Sequence, residues 1–506
     1  MSRTSLPPQT ATVGARLRQA GSVLHQRLFS HFSQPGSAIG LGLFRILNSA
    51  VLQAEILQLI RHYGLIFGSE PEQTFHPENN FLPLLWVWWL TTVLFGLGMW
   101  VRPLAIVNYI LTVTFLGTLN VFQYHVDYYF VGIALLFLVL PRSTAFSVRW
   151  KGAQPDGQKA ASASWGYVFM LVAVGVGFVY IDSILSKLDS PMWTSGHGLY
   201  TPATIPHNTW INPAWVLDNE WLMRGLGYFA LVFETIFMFL LPFQRFRTPL
   251  AAFGVVLHVG ICIFFPIPWF ALAVAALYAV LIPDTVWAKL LGYLRIPVPE
   301  TAPHLPGTSN APRWLASLGG AVALALVQLL CSASHRTVLR QLPEPIANTI
   351  RSTQRSVHPF ARQYIGITPH GVFMDSHFAN FNHFVTIVYQ GRKKEIWLPL
   401  VGENGLASPA WAGRLWVSYT FRMLRAKVDP NLLAAGLRRE SWHWCVRNGI
   451  SLDNAQFVIR MKKVDPAFQW RKGAFQQNLA SPWVDVGTLT WKKNQCSVNL
   501  PDIESL

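Results

Sequence analysis

Charge is scarce in this chain: only 13% of its 506 residues are Asp, Glu, Lys or Arg, and 52% are hydrophobic. That balance, with a mean hydropathy of +0.31, excludes an ordinary soluble protein. The apolar residues come in runs of about twenty, enough to cross a bilayer as helices. Cysteine is also sparse. The four, Cys262, Cys331, Cys445 and Cys496, form no C-x-x-C pair, so no intrinsic thiol-redox centre is expected. A removable leader is not expected either, because residues 1–36 carry Arg3, Arg16, Arg18 and Arg27 without an apolar core ending in a small-residue cleavage site. The long segment 190–219 contains no Lys or Arg.

What is present predicts an all-α multi-pass membrane domain of about nine transmembrane helices, followed by a small C-terminal α+β extracytoplasmic domain. The expected spans are 39–61, 81–101, 104–123, 127–141, 165–188, 220–243, 249–265, 268–286 and 313–333. Segments alternating to one side hold Arg3, Arg16, Arg18, Arg27, Arg102, Arg142, Arg149, Lys151, Lys159, Arg245, Arg247, Lys289, Arg295 and Arg313, whereas the other side has only Arg61 and Arg224. Basic residues mark the cytoplasmic side. The N-terminus is therefore expected in the cytoplasm and the C-terminal domain outside a cell membrane. Three divisions follow: a basic segment 1–36, a membrane domain 37–333 and a soluble domain 334–506.

Ionisable groups inside the spans are the candidates for chemistry, since each is costly unless it is used or paired. Lys187 ends the run WGYVFMLVAVGVGFVYIDSILSKLDSPMW, where a low-dielectric setting favours the neutral amine and permits it to act as a base. The plainer reading is a lysine reaching for head groups or paired with Asp189. His125, beside Asp127, and His258, midway along its span, fall with Lys187 in the outer half of the membrane. Glu234 lies deep enough to be protonated or paired. Arg45, Asn48 and Glu55 of the first span face either a cavity or a buried structural network. Segment 190–219, rich in aromatics and proline, reads as a cap over the outer mouth.

The segments YIDSILSKLDSPMW, GLGLFRI, HVDYYFVGIALLFLVLP, FETIFMFLLPFQRFRTPL and LHVGICIFF resemble blocks of the horizontally transferred transmembrane (HTTM) family, to which the vitamin K-dependent gamma-glutamyl carboxylases belong. The likeness covers about residues 37–290 and is most specific at Lys187-Leu188-Asp189 followed by Trp193 and Gly196. It implies that Lys187 is the base that deprotonates a membrane quinol, of the vitamin K type or another, and that His125 and His258 border the same pocket. Arg45, Glu55, Asp189, Trp193 and Glu234 complete the candidate substrate-binding set. No metal is expected.

In the C-terminal domain FVTIVY-QGRKK-EIWLPL reads as a hairpin, WAGRLWVSYTFRMLRAKV and PNLLAAGLRRESWHWCVRNG as helices, and AQFVIRMKKV and VDVGTLTW as strands. His370, Asp375, His377 and His383 lie close in sequence but match no metal motif. The domain holds twenty-two Lys and Arg against eleven Asp and Glu, an excess that supplies most of the chain's net charge of +16. Such a face suits membrane lipid head groups or an acidic peptide or protein partner outside, and no nucleic acid is expected there. Cys445 and Cys496 are a candidate disulfide. Two functions compete: a quinol-dependent, carboxylase-like enzyme, and a non-catalytic assembly or binding subunit that presents the basic domain to a partner.

Overall fold

The computed structural model describes residues 26–68, 80–140, 145–148, 163–299, 311–333, 336–424 and 429–501. Most of the basic segment 1–36 lies outside these residues, as do 69–79, 141–144, 149–162 and 300–310.

Helix α1 (Ala38–Arg61) begins where Ser37 accepts a hydrogen bond from the Gly40 amide. Asp284 reinforces this start by accepting from the amides of Ala38 and Ile39, a carboxylate at the positive end of a helix. Three short helices follow: α2 (Leu82–Gly96), α3 (Val101–Leu116) and α4 (His125–Phe137). Then come α5 (Trp165–Leu188), α6 (Glu220–Leu240), α7 (Gln244–Phe264) and a bent pair, α8 (Pro268–Leu281) and α9 (Asp284–Tyr293), with 113° between its halves. Helix α10 (Ala311–Ala333) precedes the amphipathic α11 (Glu344–Phe360).

Nine full spans are not supported among the described residues. Among the described residues four helices, α1, α5, α6 and α7, are long and apolar enough to cross a membrane, or five if the bent pair is one span. The expected second, third and fourth spans become helices of 13 to 16 residues. At 1.5 Å per residue these reach only about 20–24 Å, against roughly 30 Å of hydrocarbon. The apolar run continues where the helix does not. Between α2 and α3 the chain turns through Gly98 (φ 77°) and Trp100 (φ 41°), a left-handed detour that ends one helix and starts the next without any polar residue to signal it. The outer surface is apolar nonetheless: Trp221 is 81% and Phe239 74% exposed on α6, and Val256 projects similarly from α7. Such a belt needs a non-aqueous surrounding.

The C-terminal region is built on an antiparallel sheet of β1 (His383–Gln390), β2 (Glu395–Trp397), β3 (Gln456–Lys463), β4 (Trp483–Lys492) and β5 (Gln495–Asn499), in the order β2-β1-β3-β4-β5. The expected hairpin is β1–β2, with Val388 opposite Trp397. The two expected helices are a short helix, α12 (Arg414–Ser418), continued by a wide turn to Met423, and α13 (Pro430–Arg447). One hydrophobic core runs from Leu41 of α1 to Trp491 of β4 without a break near residue 334. The cap 190–219 is the joint: Trp416 donates to the His207 carbonyl (2.7 Å) and Thr201 donates to that of Ala467 (2.9 Å).

Cys445 and Cys496 are both thiols, and the expected disulfide does not form. Cys445 is buried on α13, while Cys496 sits opposite Trp491 in the β4–β5 register. The fully buried Trp491 indole donates to Ser441, one turn before Cys445, so a tryptophan ring fills the layer between helix and sheet there.

Candidate functional site

Helix α5 is interrupted by a π turn, Ala173–Gly177, and this interruption shapes a cavity. The extra residue turns Val174, Gly175 and Val176 toward a space also walled by α4, α6, α7, α8 and α10. About 110 Å³ of it is open to the centre of a water molecule. Gly175 and Gly177 permit the packing: a Cβ on the first would lie 2.6 Å from Leu277 Cδ2, and on the second 2.1 Å from Met238 Sδ.

Beyond the π turn α5 places Tyr180, Ser183 and Lys187 on the cavity wall, at the i, i+3, i+7 spacing of one helix face. Lys187 Nζ donates to both carboxylate oxygens of Glu234, at 2.6 and 2.7 Å. Each side chain is only 8% exposed. Trp193 from the cap lies across the amine, 4.2 Å from Nζ to the ring centroid, and its own Nε1 donates to the Phe373 carbonyl. Two opposite charges desolvated together and closed on one side by an indole form a pair that is neutral as a whole.

His258 lies on the same wall. Its Nδ1 is 2.9 Å from the Gly254 carbonyl one turn back, which makes Nδ1 the donor and leaves Nε2 with a lone pair in the neutral ring. Nearby, the hydroxyls of Tyr180 and Tyr278 hydrogen-bond each other. His125, the first residue of α4, meets His370 from the C-terminal region, ring centroids 4.2 Å apart. The His370 amide donates to Asp182, whose other oxygen accepts from Ser332 of α10. Burial, followed by the neighbouring His125 and Lys187, holds the His370 imidazole well below its usual pKa, so it stays neutral. His125 Nδ1 is buried without a protein partner.

Lys187, His125, His258, Glu234 and Trp193 thus border one cavity. The other candidates lie elsewhere. Asp189 is exposed at the C-terminal cap of α5, and the partner of Lys187 is Glu234 instead. Arg45 is fully buried and bonds the carbonyls of Gly96, Ala145 and Phe146 and the hydroxyl of Ser147, pinning the turn after α2. Glu55 belongs to a second buried cluster. Arg414 Nη2 is 2.8 Å from Glu55 Oε2 and 3.0 Å from Asp127 Oδ1, and Tyr124 donates to Glu55. Asp127 is therefore committed to Arg414 and to the Tyr124 amide rather than to His125.

The group His370, Asp375, His377 and His383 is likewise dispersed in role. Asp375 accepts from Ser190 and from the Met192 amide, His377 accepts from the Met374 amide, and His383 opens β1. Sequence reasoning missed Arg414 as the partner of Glu55, 359 residues away, and nothing local marks it. It also gave His370 no place beside His125.

Comparison with family models, with curated proteins and with solved structures gives no match.

Proposed function

We propose that this protein is a quinol-dependent membrane enzyme of the carboxylase-like HTTM type, with its site in the outer half of the membrane. The carrying observation is the Lys187–Glu234 pair set in the wall of a large, mainly apolar cavity that His258 and His125 also border. The residues suit a quinol: aromatic and aliphatic walls match its ring and tail, and the unpartnered His125 Nδ1 and the Nε2 of His258 offer polar contacts for its oxygens. Bound there, such a molecule would supply an acidic hydroxyl and a reducing equivalent.

Lys187 accepts a proton only after handing its own to Glu234. That transfer, along a 2.6 Å hydrogen bond, turns the ion pair into a neutral amine and carboxylic acid without changing the net charge of the cavity. Glu234 is thus the proton store that makes Lys187 a base in a place with little water. Trp193 and the cap keep the amine oriented and dry.

The topology belongs to the same proposal: N-terminus in the cytoplasm, and the basic C-terminal region outside, where it would meet anionic lipid or an acidic peptide. Lys187→Met keeps length and loses the base. The variant is expected to express normally and to lose oxidation of a short-chain naphthoquinol or benzoquinol by dissolved dioxygen, which takes up the two electrons and two protons, followed by absorbance. Normal turnover by Lys187→Met would remove Lys187 as the base, and a wild-type protein that oxidises neither quinol would favour the non-catalytic assembly subunit.

A further inference from the structure

A second internal space lies among α1, α2, α3 and α4, lined by Asn48, Ser49, Thr92, Asn108 and Thr112 together with Phe95, Phe130 and Phe137. Its polar groups divide into two sets. The hydroxyls of Thr91 and Thr92 are satisfied: each donates to the Trp88 carbonyl and lies within hydrogen-bonding distance of Asn108 Oδ1. Asn48 Oδ1, Ser49 Oγ and Thr112 Oγ1 have no partner in the protein. Asn48 is 3%, Ser49 1% and Thr112 0% exposed, so bulk water does not satisfy them.

A serine or threonine inside a helix normally returns its hydroxyl to the carbonyl one turn back, as Thr92 does. Ser49 and Thr112 forgo that bond, and both line the same small, mainly apolar space as Asn48. Three unsatisfied buried groups together would cost a large share of the stability margin of a folded protein.

We propose that this space is a binding site for a tightly held water molecule. The chemistry selects the ligand. About 20 Å³ is open to the centre of a water molecule, above the roughly 10–15 Å³ that one water needs. The lining holds neutral oxygens and no carboxylate, and Glu55 on the same helix is already committed to Arg414, so a bound cation would be uncompensated. Water accepts from the Ser49 and Thr112 hydroxyls and donates to Asn48 Oδ1, the arrangement of about three bonds usual for internal water. Asn48, which the sequence left between a cavity and a buried network, thus serves this site and not the larger one.

The test is X-ray hydroxyl-radical footprinting of the full-length protein in nanodiscs, mixed briefly into H₂¹⁸O before exposure. Phe95, Phe130 and Phe137 are too buried for bulk radicals, so the expected result is oxidation of these rings with the original ¹⁶O, from a water that exchanges slowly. In Asn48→Leu/Thr112→Val the labelling should fall to background while the exposed Trp215 of the cap labels as before. If the double variant does not fold, the near-isosteric Thr112→Val alone serves and should weaken the label. Unlabelled rings in the wild type, or labelling that survives the substitutions, would overturn the proposal. A melting temperature that rises in sodium but not in choline chloride would overturn it in favour of a cation.

Discussion

Arg414 shows how much one side chain carries here. It brings one guanidinium to two buried carboxylates, Glu55 and Asp127, and donates further to the Phe122 carbonyl, so removing it strands two negative groups in a dry interior. Breaking a buried pair by deleting one partner costs about 3–5 kcal/mol. Arg414→Met is expected to lower the melting temperature sharply, and Glu55→Gln in the same chain to restore some of the loss. A melting curve unchanged by Arg414→Met would contradict this account. Arg414→Lys should also fail, because an ammonium cannot span both carboxylates as the planar fork does.

Glu440 on α13 is a half-buried acid, and its effect has the opposite sign. Burial pushes its pKa up to about 7, only weakly opposed by Arg439. A folded-state pKa raised above that of the unfolded chain means that the native protein binds the proton more tightly. Stability is then expected to fall as pH rises from the unfolded value, near 4.5, through about 7, and to level off above it. Thermal melts of wild type and Glu440→Gln should converge at pH 4 and separate by pH 8, with the Gln variant the more stable. A gap that does not change with pH would refute the assignment.

At the scale of the element, the interior is arranged by close approaches between helices. Gly254 on α7 faces Tyr278 of α8, where a Cβ would lie 2.3 Å from the phenol Cζ. The ring has little freedom to retreat, because its hydroxyl bonds Tyr180 and the side chain is fully buried. Overpacking of this kind costs about 1–3 kcal/mol. Gly254→Ala is therefore expected to destabilise and, by pushing α8 from α7, to reduce quinol turnover more than expression. Wild-type melting and turnover would show that the contact is loose. The π turn of α5 belongs to the same class of feature: one added residue opens the wall beside Gly175 and sets the register that carries Lys187 to Glu234.

At the scale of the whole molecule, the C-terminal region completes the membrane region. It supplies Arg414 to the buried cluster, His370 and Phe373 to the cavity wall, and Trp416 to the cap. A chain ending at residue 335 is expected to lose quinol turnover and to aggregate, as read by fluorescence-detected size-exclusion chromatography. A monodisperse truncated protein would show that the shared core is dispensable. Topology is tested on the full chain: single cysteines at Ser195 and Thr353 should react with an impermeant maleimide from outside, and one at Lys289 only after the membrane is opened.

The sequence by itself determined the membrane class, because hydropathy and charge are local quantities that survive any arrangement of helices. It also brought Lys187, His125 and His258 forward as candidates, since an ionisable residue in or beside an apolar run is visible without any fold. The number of full spans was not legible: hydropathy marks an apolar run but not how many of its residues the helix takes up, and the helices of the second, third and fourth runs stop at 13 to 16 residues. Only tertiary structure decided the partners. Lys187 pairs with Glu234 rather than the nearby Asp189, and Asp127 turns from His125 to Arg414, because buried charges need a counter-charge at contact distance. In this fold those contacts come from α6 and from a helix hundreds of residues downstream.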